Sequence, residues 1–230
     1  RLRLKVLECG RFKSPYAPNK TFDLNSKDQF TSLWNFEEDF LHLNEFIKIS
    51  CEKTLINHCQ KILGPNCSIS WAWLWHTFPG EKVVENQLWH RDSSEPLTFT
   101  RVFIPLTNVL DEKDGPTEFL FKNDIELPNS TFEPRRIHDE EIETFSGSFE
   151  RKKINAKVGD FYTANTFWCL HRGTSVTRKS SRSMLSLLIS NAPSHRTVSI
   201  PKISLDEFKN ASDQELILQN RQWLKNIVSF

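Results

Sequence analysis

The sequence predicts a mainly β protein with flanking α-helices, in which many short strands form a sandwich or barrel. Two observations predict this fold class. Short strand-like runs separated by turn residues follow one another over residues 68–191, whereas apolar residues at helical spacing occur before and after that region. We therefore expect one domain over residues 1–230, with a mainly helical part at 1–67, a β core at 68–191 and a C-terminal helix at 204–230.

The N-terminal part contains three local patterns. Residues 1–7 alternate basic and apolar side chains, which predicts a short strand with one solvent-exposed face. A capping-box pattern at residues 26–29 predicts the start of a helix that includes Trp34. A second helical pattern covers residues 38–63, and we expect it to end at Gly64 because glycine readily adopts the conformation that terminates a helix.

The β core is predicted from a series of runs rich in β-branched and aromatic residues. These runs cover residues 68–77, 88–92, 97–106, 117–121, 153–156, 160–163, 168–171 and 182–190. Between them, the polar stretch at 123–148 predicts a long loop or lid. After the core, a second capping-box pattern at residues 212–215 predicts an amphipathic helix that continues to Ile227.

Composition argues against several classes of partner and site. Lysine and arginine number 30 against 29 aspartates and glutamates, so a net charge of +1 gives no reason to expect a nucleic acid or a membrane surface as partner. The five cysteines include no Cys-x-x-Cys pair, which argues against a disulfide framework or a thiolate zinc site. With no apolar stretch near the roughly 20 residues of a membrane span, we expect a cytoplasmic protein.

The residues that say most about function are His90 and Asp92, which flank Arg91. In an extended strand His90 and Asp92 share one face. If His171 joins them from a neighbouring strand, two imidazoles and one carboxylate form the set that holds non-haem Fe(II) and leaves coordination positions open. Arg182 adds a permanently charged planar fork suited to a carboxylate of a substrate or cosubstrate. The four residues together predict an oxygenase.

Other interpretations of the same residues remain open. The His-x-Asp pattern is short and occurs by chance in many chains. A salt bridge between Asp92 and Arg182 would explain both charges without any metal. Two histidines and a carboxylate also suit zinc, so a zinc-dependent hydrolase is an alternative that leaves Arg182 unexplained.

The tryptophans Trp71, Trp73 and Trp75 alternate along one predicted strand and therefore share a face. They either line a pocket or pack the sheet against helices, and we favour packing because buried aromatic residues are common in protein cores.

Around these residues the sequence resembles the phytanoyl-CoA dioxygenase-like branch of the Fe(II)- and 2-oxoglutarate-dependent oxygenases. The resemblance covers residues 89–190, about half of the chain. Its segments are Trp89-His90-Arg91-Asp92, Phe103-Ile104-Pro105-Leu106, Asp114-Gly115-Pro116, Gly159-Asp160-Phe161 and His171-Arg172-Gly173, followed by Arg182. The family commonly continues into a Gly-Ser-His stretch after Gly-Pro, whereas this chain has Phe121-Lys122-Asn123-Asp124 in that region.

The resemblance implies a double-stranded β-helix, a cupin-like jelly roll whose open end holds iron. By likeness His90, Asp92 and His171 would be the iron ligands and the catalytic centre. Arg182 would pair with the distal carboxylate of 2-oxoglutarate, the cosubstrate. The implied reaction uses O2 to hydroxylate a small molecule and releases succinate and CO2. Related halogenating enzymes have a small residue at the position of Asp92, so hydroxylation is expected here.

Two further expectations accompany this assignment. Thr98 and Thr100 lie on one face of the strand after Asp92, and we expect one of their hydroxyls to contact the cosubstrate, although threonine is also simply a good strand residue. A non-enzymatic jelly-roll binding module that keeps the ligands by descent remains an alternative function.

Overall fold

The structure is a computed structural model that describes residues 1–9, 11–14, 17–23, 33–36, 40–41, 43–80, 83, 85–92, 98–121, 135–145, 149–178, 180–191 and 202–230. Its helices are α1 (Leu2–Cys9), α2 (Asn44–Ser50), α3 (Lys53–Leu63), α4 (Asp139–Thr144), α5 (Ala211–Gln219) and α6 (Arg221–Leu224). Its strands are β1 (Arg11–Ser14), β2 (Ala17–Asp23), β3 (Leu33–Phe36), β4 (Ser68–Thr77), β5 (Phe99–Pro105), β6 (Thr117–Phe121), β7 (Glu150–Ile154), β8 (Tyr162–Ala164), β9 (Leu170–Gly173), β10 (Arg182–Ser190), β11 (Ile203–Ser204) and β12 (Val228–Ser229).

Two antiparallel sheets form the body of the fold. The larger sheet has the strand order β2-β1-β3-β4-β10-β5-β8, and the smaller one has the order β7-β6-β9. A bridge between His90 and His171 adds the segment before Asp92 to the free edge of β9. This is the jelly roll expected from the sequence, with helices around it. No helix among the described residues is long and apolar enough to cross a bilayer.

The outer face of the larger sheet is covered by helices. On β10, Leu185, Leu187 and Ile189 alternate outward and are fully buried in a core shared with α2, α3, α5 and α6. Burial of each such side chain contributes roughly 1.5–3 kcal/mol, so this layer holds the helices onto the sheet.

The inner faces of the two sheets meet in a smaller cluster. Phe103 of β5, Phe119 of β6 and Met184 of β10 form its buried centre. Phe103 and Phe119 pack edge to face with ring centroids 6.3 Å apart. Residues of β10 that alternate inward, beginning with Arg182, therefore face the interior of the roll.

The prediction of a strand at residues 1–7 is wrong, because this segment lies in α1. Leu2 is buried against the main core, whereas Leu4 is 59% exposed. In a half-buried strand these two side chains would face the same side. Packing of one helical face therefore overrides the alternating pattern, and an ion pair of 2.9 Å between Lys5 and Glu45 adds a second contact to α2.

The helix predicted around Trp34 is also wrong in its described part. Trp34 lies in β3, which pairs with β4 through Leu33 and Thr77, among others. The capping-box residues 26–29 lie outside the described residues. With β1 and β2, this strand extends the larger sheet, so residues 1–67 contribute strands as well as helices.

The other helix predictions hold with breaks. The pattern at 38–63 forms α2 and α3, which are separated because Glu52 caps α3 by accepting from the backbone N–H of Thr54. Gly64 ends α3 with φ of 91°, as expected. The C-terminal pattern forms α5 and α6, divided at Asn220, but α6 ends at Leu224 rather than at the predicted Ile227, and Val228 begins β12.

The strands at 68–77, 117–121 and 182–190 have the predicted bounds. Residues 88–92 form bridges at Trp89 and His90 rather than a strand. The predicted lid contains α4, and its residues 123–134 lie outside the described part.

Candidate metal and anion site

The structure brings His90, Asp92 and His171 together. One possible ligand atom from each residue lies within 4.8 Å of the other two. The two histidines are bridged through their backbones, since each N–H donates to the other carbonyl at 3.0 Å. Asp92 Oδ2 lies 3.8 Å from His171 Nε2. Side chains from two distant parts of the sequence thus point at one small volume.

Both imidazole rings are oriented for ligation through Nε2. His90 Nδ1 lies 2.8 Å from the carbonyl of Leu88, and His171 Nδ1 lies 3.3 Å from the carbonyl of Cys169. Because a carbonyl only accepts, each Nδ1 must donate, which leaves Nε2 of the neutral ring as an acceptor. Burial lowers the pKa of both histidines, and the neutral form is the one that binds metals.

Asp92 supplies a charged oxygen to the same volume. Burial acts to raise its pKa, but Arg101 and then His171 outweigh that effect, so the net pKa is lowered and the carboxylate is ionised. Arg101 Nε lies 2.9 Å from Oδ2. Nevertheless Oδ2 is buried and accepts no hydrogen bond from any described residue. The Nε atom of Arg101 is close to Oδ2, but its hydrogen does not point at that oxygen. A buried anionic oxygen with free lone pairs beside two Nε2 atoms fits a divalent cation.

Arg182, the first residue of β10, is a buried cation. Its residue is only 6% exposed. Nη1 donates to the carbonyl of Gly115, and Nη2 donates to Thr77 Oγ1 at 3.2 Å, while Nε has no hydrogen bond within the described part of the chain. No carboxylate of a described residue forms an ion pair with it. Burial lowers its pKa, yet arginine stays protonated in proteins.

The absence of a side chain at Gly173 makes room for this guanidinium. A Cβ atom at Gly173 would lie 2.9 Å from Arg182 Nη2. Gly173 and His171 are two residues apart on β9 and face the same side, which separates them by roughly 7 Å. The side chain of His171 and the guanidinium of Arg182 therefore lie on the same inner face of β9. This geometry suits a small molecule with a chelating group at one end and a carboxylate at the other.

Two hydroxyl groups lie beside the guanidinium and were not predicted. Thr117 of β6 pairs directly with Gly173, and Tyr162 Oη donates to Thr117 Oγ1 at 2.7 Å. Because Thr117 accepts from Tyr162, its own hydroxyl hydrogen remains free to donate. Burial raises the pKa of Tyr162 to about 12, so Tyr162 stays a neutral donor. Only the pairing of β6 with β9 reveals Thr117, and sequence patterns do not specify that pairing.

The two predicted threonines lie elsewhere. Thr100 shares the outer face of β5 with Val102, which belongs to the core beneath the helices, and its hydroxyl donates to the carbonyl of Ala164 at 3.5 Å. Thr98 is exposed and its carbonyl accepts from Ser190. The structure brings neither residue to the triad. Among the described residues there is also no salt bridge between Asp92 and Arg182, because Asp92 pairs with Arg101.

The tryptophans of β4 divide between the two interpretations. Trp71 contacts the main core. Trp73 lies under the guanidinium of Arg101, 4.5 Å from ring centroid to Cζ, and Trp75 contacts the inner cluster. Both are partly exposed on the inner face. Trp73 and Trp75 therefore line the interior of the roll rather than its helical side.

The opposite face of β9 carries an ion-pair network. Arg172 donates to Glu118 and to Asp139, both at 2.7 Å, and its guanidinium lies 4.4 Å from the ring of Trp89. Trp89 Nε1 donates to the same Asp139 at 3.0 Å. Trp89 and Arg172 are the chain neighbours of the two histidines, so this network holds the backbone bridge between them from behind.

Comparisons with known proteins identify the fold. No protein-family model and no curated protein sequence matches this chain. The crystal structure of HygX from Streptomyces hygroscopicus with nickel, 2-oxoglutarate and hygromycin B bound is similar with a TM-score of 0.56 and 11% identity, covering 91% of this chain and 84% of HygX.

A second similar structure is the non-heme alpha ketoglutarate dependent epimerase SnoN from nogalamycin biosynthesis. Its TM-score is 0.54 at 12% identity, covering 76% of this chain and 72% of SnoN. SnoN is also known in complex with Fe3+, alpha ketoglutarate and nogalamycin RO. The chain therefore has the fold of these two proteins. The phytanoyl-CoA dioxygenase-like branch is not identified by the comparisons.

Proposed function

We propose that this chain is an Fe(II)- and 2-oxoglutarate-dependent oxygenase that acts on a small molecule. The observation that carries the proposal is the buried guanidinium of Arg182, which has no carboxylate partner in the described part of the chain. It lies against Gly173, two residues after His171 of the His-Asp-His set. Burying an unpaired charge costs several kcal/mol, so Arg182 is best explained by an anionic ligand. The fold shared with HygX and SnoN supports the same conclusion.

The residues have distinct roles in this proposal. His90 and His171 hold iron through Nε2, and Asp92 holds it through a carboxylate oxygen. Arg182 fixes the distal carboxylate of 2-oxoglutarate, with Thr117 as an additional donor. This places the keto acid end of the cosubstrate toward the metal ligands. Bound iron and 2-oxoglutarate supply oxidising chemistry with O2, in which succinate and CO2 are formed and a substrate C–H bond is hydroxylated.

The inner aromatic residues contribute by excluding water and shaping the cavity. Phe103 and Tyr162 stack at 5.1 Å between centroids, and Phe119 stacks on His171 at 6.0 Å. Together with Trp75 they form an apolar surround for the metal ligands. A dry cavity protects an oxidising centre from side reactions. We propose that the small-molecule substrate enters beside this aromatic surface.

The finer assignments belong to the same proposal. We place the chain in the phytanoyl-CoA dioxygenase-like branch on its sequence segments, and we propose a cytoplasmic protein that binds neither nucleic acid nor membrane. Epimerisation is the second candidate reaction, because SnoN is an epimerase of the same fold. Reaction under ¹⁸O2 distinguishes them, since hydroxylation incorporates labelled oxygen into the product and epimerisation does not.

The test is anaerobic addition of Fe(II) and 2-oxoglutarate, for which we expect a weak visible charge-transfer band and, on exposure to O2, succinate. Asp92→Ala and His171→Ala should lose the band and succinate, whereas the control His138→Ala, which changes an exposed histidine at the start of α4, should keep both.

Three results would contradict the proposal. An active His171→Ala protein would exclude this metal centre. A folded wild type without a band or stabilisation by the two ligands would favour a binding module. Hydrolysis that needs zinc and no oxygen would favour a hydrolase.

A further inference from the structure

Arg101 occupies an unusual position on the inner face of β5. It is 7% exposed, and its Nε lies 2.9 Å from Asp92 Oδ2. Further contacts hold the guanidinium in place: Nη1 donates to Ser186 Oγ at 3.4 Å, Nε donates to Thr166 Oγ1 at 3.5 Å, and the ring of Trp73 lies beneath Cζ. A fixed cation therefore stands beside the one carboxylate of the triad.

The oxygen next to Arg101 is the oxygen that faces the metal site. Asp92 Oδ2 is 2.9 Å from Arg101 Nε and 3.8 Å from His171 Nε2. Because the Nε hydrogen points toward Thr166, Oδ2 retains its lone pairs for a second cation. A metal ion on Oδ2 would share this oxygen with the guanidinium and lie within a few ångströms of it.

We propose that Arg101 is a positioning residue that acts as the built-in counter-charge of Asp92, so that a divalent metal ion binds the triad in competition with it. In the metal-free protein Arg101 neutralises a buried carboxylate. In the metal-bound protein the two cations repel each other, and at low dielectric this repulsion is strong. Both effects lower the affinity for the metal. The inference rests on the proposed function only in requiring a metal at the triad.

Removal of Arg101 separates this role from a purely structural one. Arg101→Met leaves Asp92 buried without its cation, which destabilises the metal-free protein, and a bound metal then restores the missing charge. The variant should therefore bind metal more tightly. A purely structural residue would lower stability with and without metal and would not improve binding.

The experiment is a calorimetric titration of the metal-free full chain with Mn²⁺, with thermal unfolding measured at both ends of the titration. We expect Arg101→Met to bind Mn²⁺ about tenfold tighter or better. It should also show a lower metal-free Tm and a larger metal-induced rise in Tm than the wild type. Arg101→Lys, which keeps the charge, should return the affinity toward the wild-type value.

The matched control is Arg172→Met. Arg172 is also a largely buried arginine paired with a carboxylate and adjacent in the chain to a triad histidine, but it lies on the opposite face of β9 and its partner Glu118 is not a triad member. This variant should lose stability and gain no affinity for Mn²⁺.

Unchanged or weaker Mn²⁺ binding by Arg101→Met would overturn the inference. If that variant does not fold, Arg101→Gln is judged by the same criterion, because it retains a polar group near Ser186. Equal Mn²⁺ binding by the wild type and Asp92→Ala would instead refute the metal centre of the proposed function.

Discussion

Gly173→Ala tests whether the space in front of Arg182 serves an anion. The new Cβ would lie 2.9 Å from Nη2, closer than such contacts allow, so the guanidinium must move. Arg182 is anchored to Gly115 and Thr77, so its shift would disturb the orientation of the fork. The variant should weaken binding of 2-oxoglutarate while the metal ligands stay in place.

The magnitude follows from the contact that is lost. A hydrogen bond to a charged group contributes about 1.5–3 kcal/mol, which corresponds to roughly a 10- to 100-fold loss of affinity. Stability should change by less than about 1 kcal/mol, because only the tip of the Arg182 side chain is displaced and alanine restricts the unfolded chain more than glycine does. Calorimetric titration of the Mn²⁺-loaded protein with 2-oxoglutarate measures the first quantity, and urea unfolding measures the second.

The control is Gly159→Ala, for which we expect the opposite result: lower stability and unchanged affinity for 2-oxoglutarate. Gly159 has φ of 103° and nothing within 4 Å of its Cβ position. Alanine there should cost about 1–2 kcal/mol of stability through backbone strain and leave 2-oxoglutarate affinity unchanged. If Gly173→Ala bound 2-oxoglutarate like the wild type, Arg182 would not be the anchor of the cosubstrate.

Two further predictions concern the hydroxyl beside the anchor and a buried histidine. Thr117→Val should weaken 2-oxoglutarate binding several-fold in the same titration, since the donor held by Tyr162 is lost; unchanged affinity would exclude Thr117 from the site. Burial lowers the pKa of His76, which bonds Ser183 at 2.8 Å, from 6.5 to about 4, with Arg3 and Arg182 adding to the effect. The unfolded chain therefore binds the proton first as pH falls from 6.5 to 4, and about 2–3 kcal/mol of stability present above pH 6.5 is lost over that range. Urea unfolding at pH 7 and 4.5 should show this loss in the wild type and not in His76→Gln; equal losses would assign the pH dependence to other groups.

Sequence patterns predict the parts of this fold where burial and periodicity agree. The strand β10 is an example, because its outward residues meet helices, its inward residues meet the other sheet, and both ends are marked by polar residues. Gly64 is another, since its φ of 91° requires glycine. The triad residues could be selected because two histidines and a carboxylate in that order form a set that can hold a metal ion, which the structure brings together.

The same patterns fail where a distant contact decides the outcome. Residues 1–7 alternate as a strand does, yet burial of Leu2 without burial of Leu4 favours the helix that forms. Trp34 joins a strand because β4 offers an open edge to pair with. Thr117 and Gly173 become neighbours through strand register, and Arg101 meets Asp92 through the tertiary fold, so nothing local marks either pair. The alternation of Thr98 and Thr100 predicts that they share a face but does not specify which side of the sheet that face lies on.

If a metal ion binds the triad as proposed, the backbone bridge between His90 and His171 predicts the order of folding and metal binding. These two residues are far apart in the sequence, and bringing them together costs loop-closure entropy before any ion can bind both. We therefore expect the protein to fold first and to bind the proposed metal ion afterwards. Slow exchange of the two bridged amide hydrogens in chelator-treated protein would be the signature of that sequence of events.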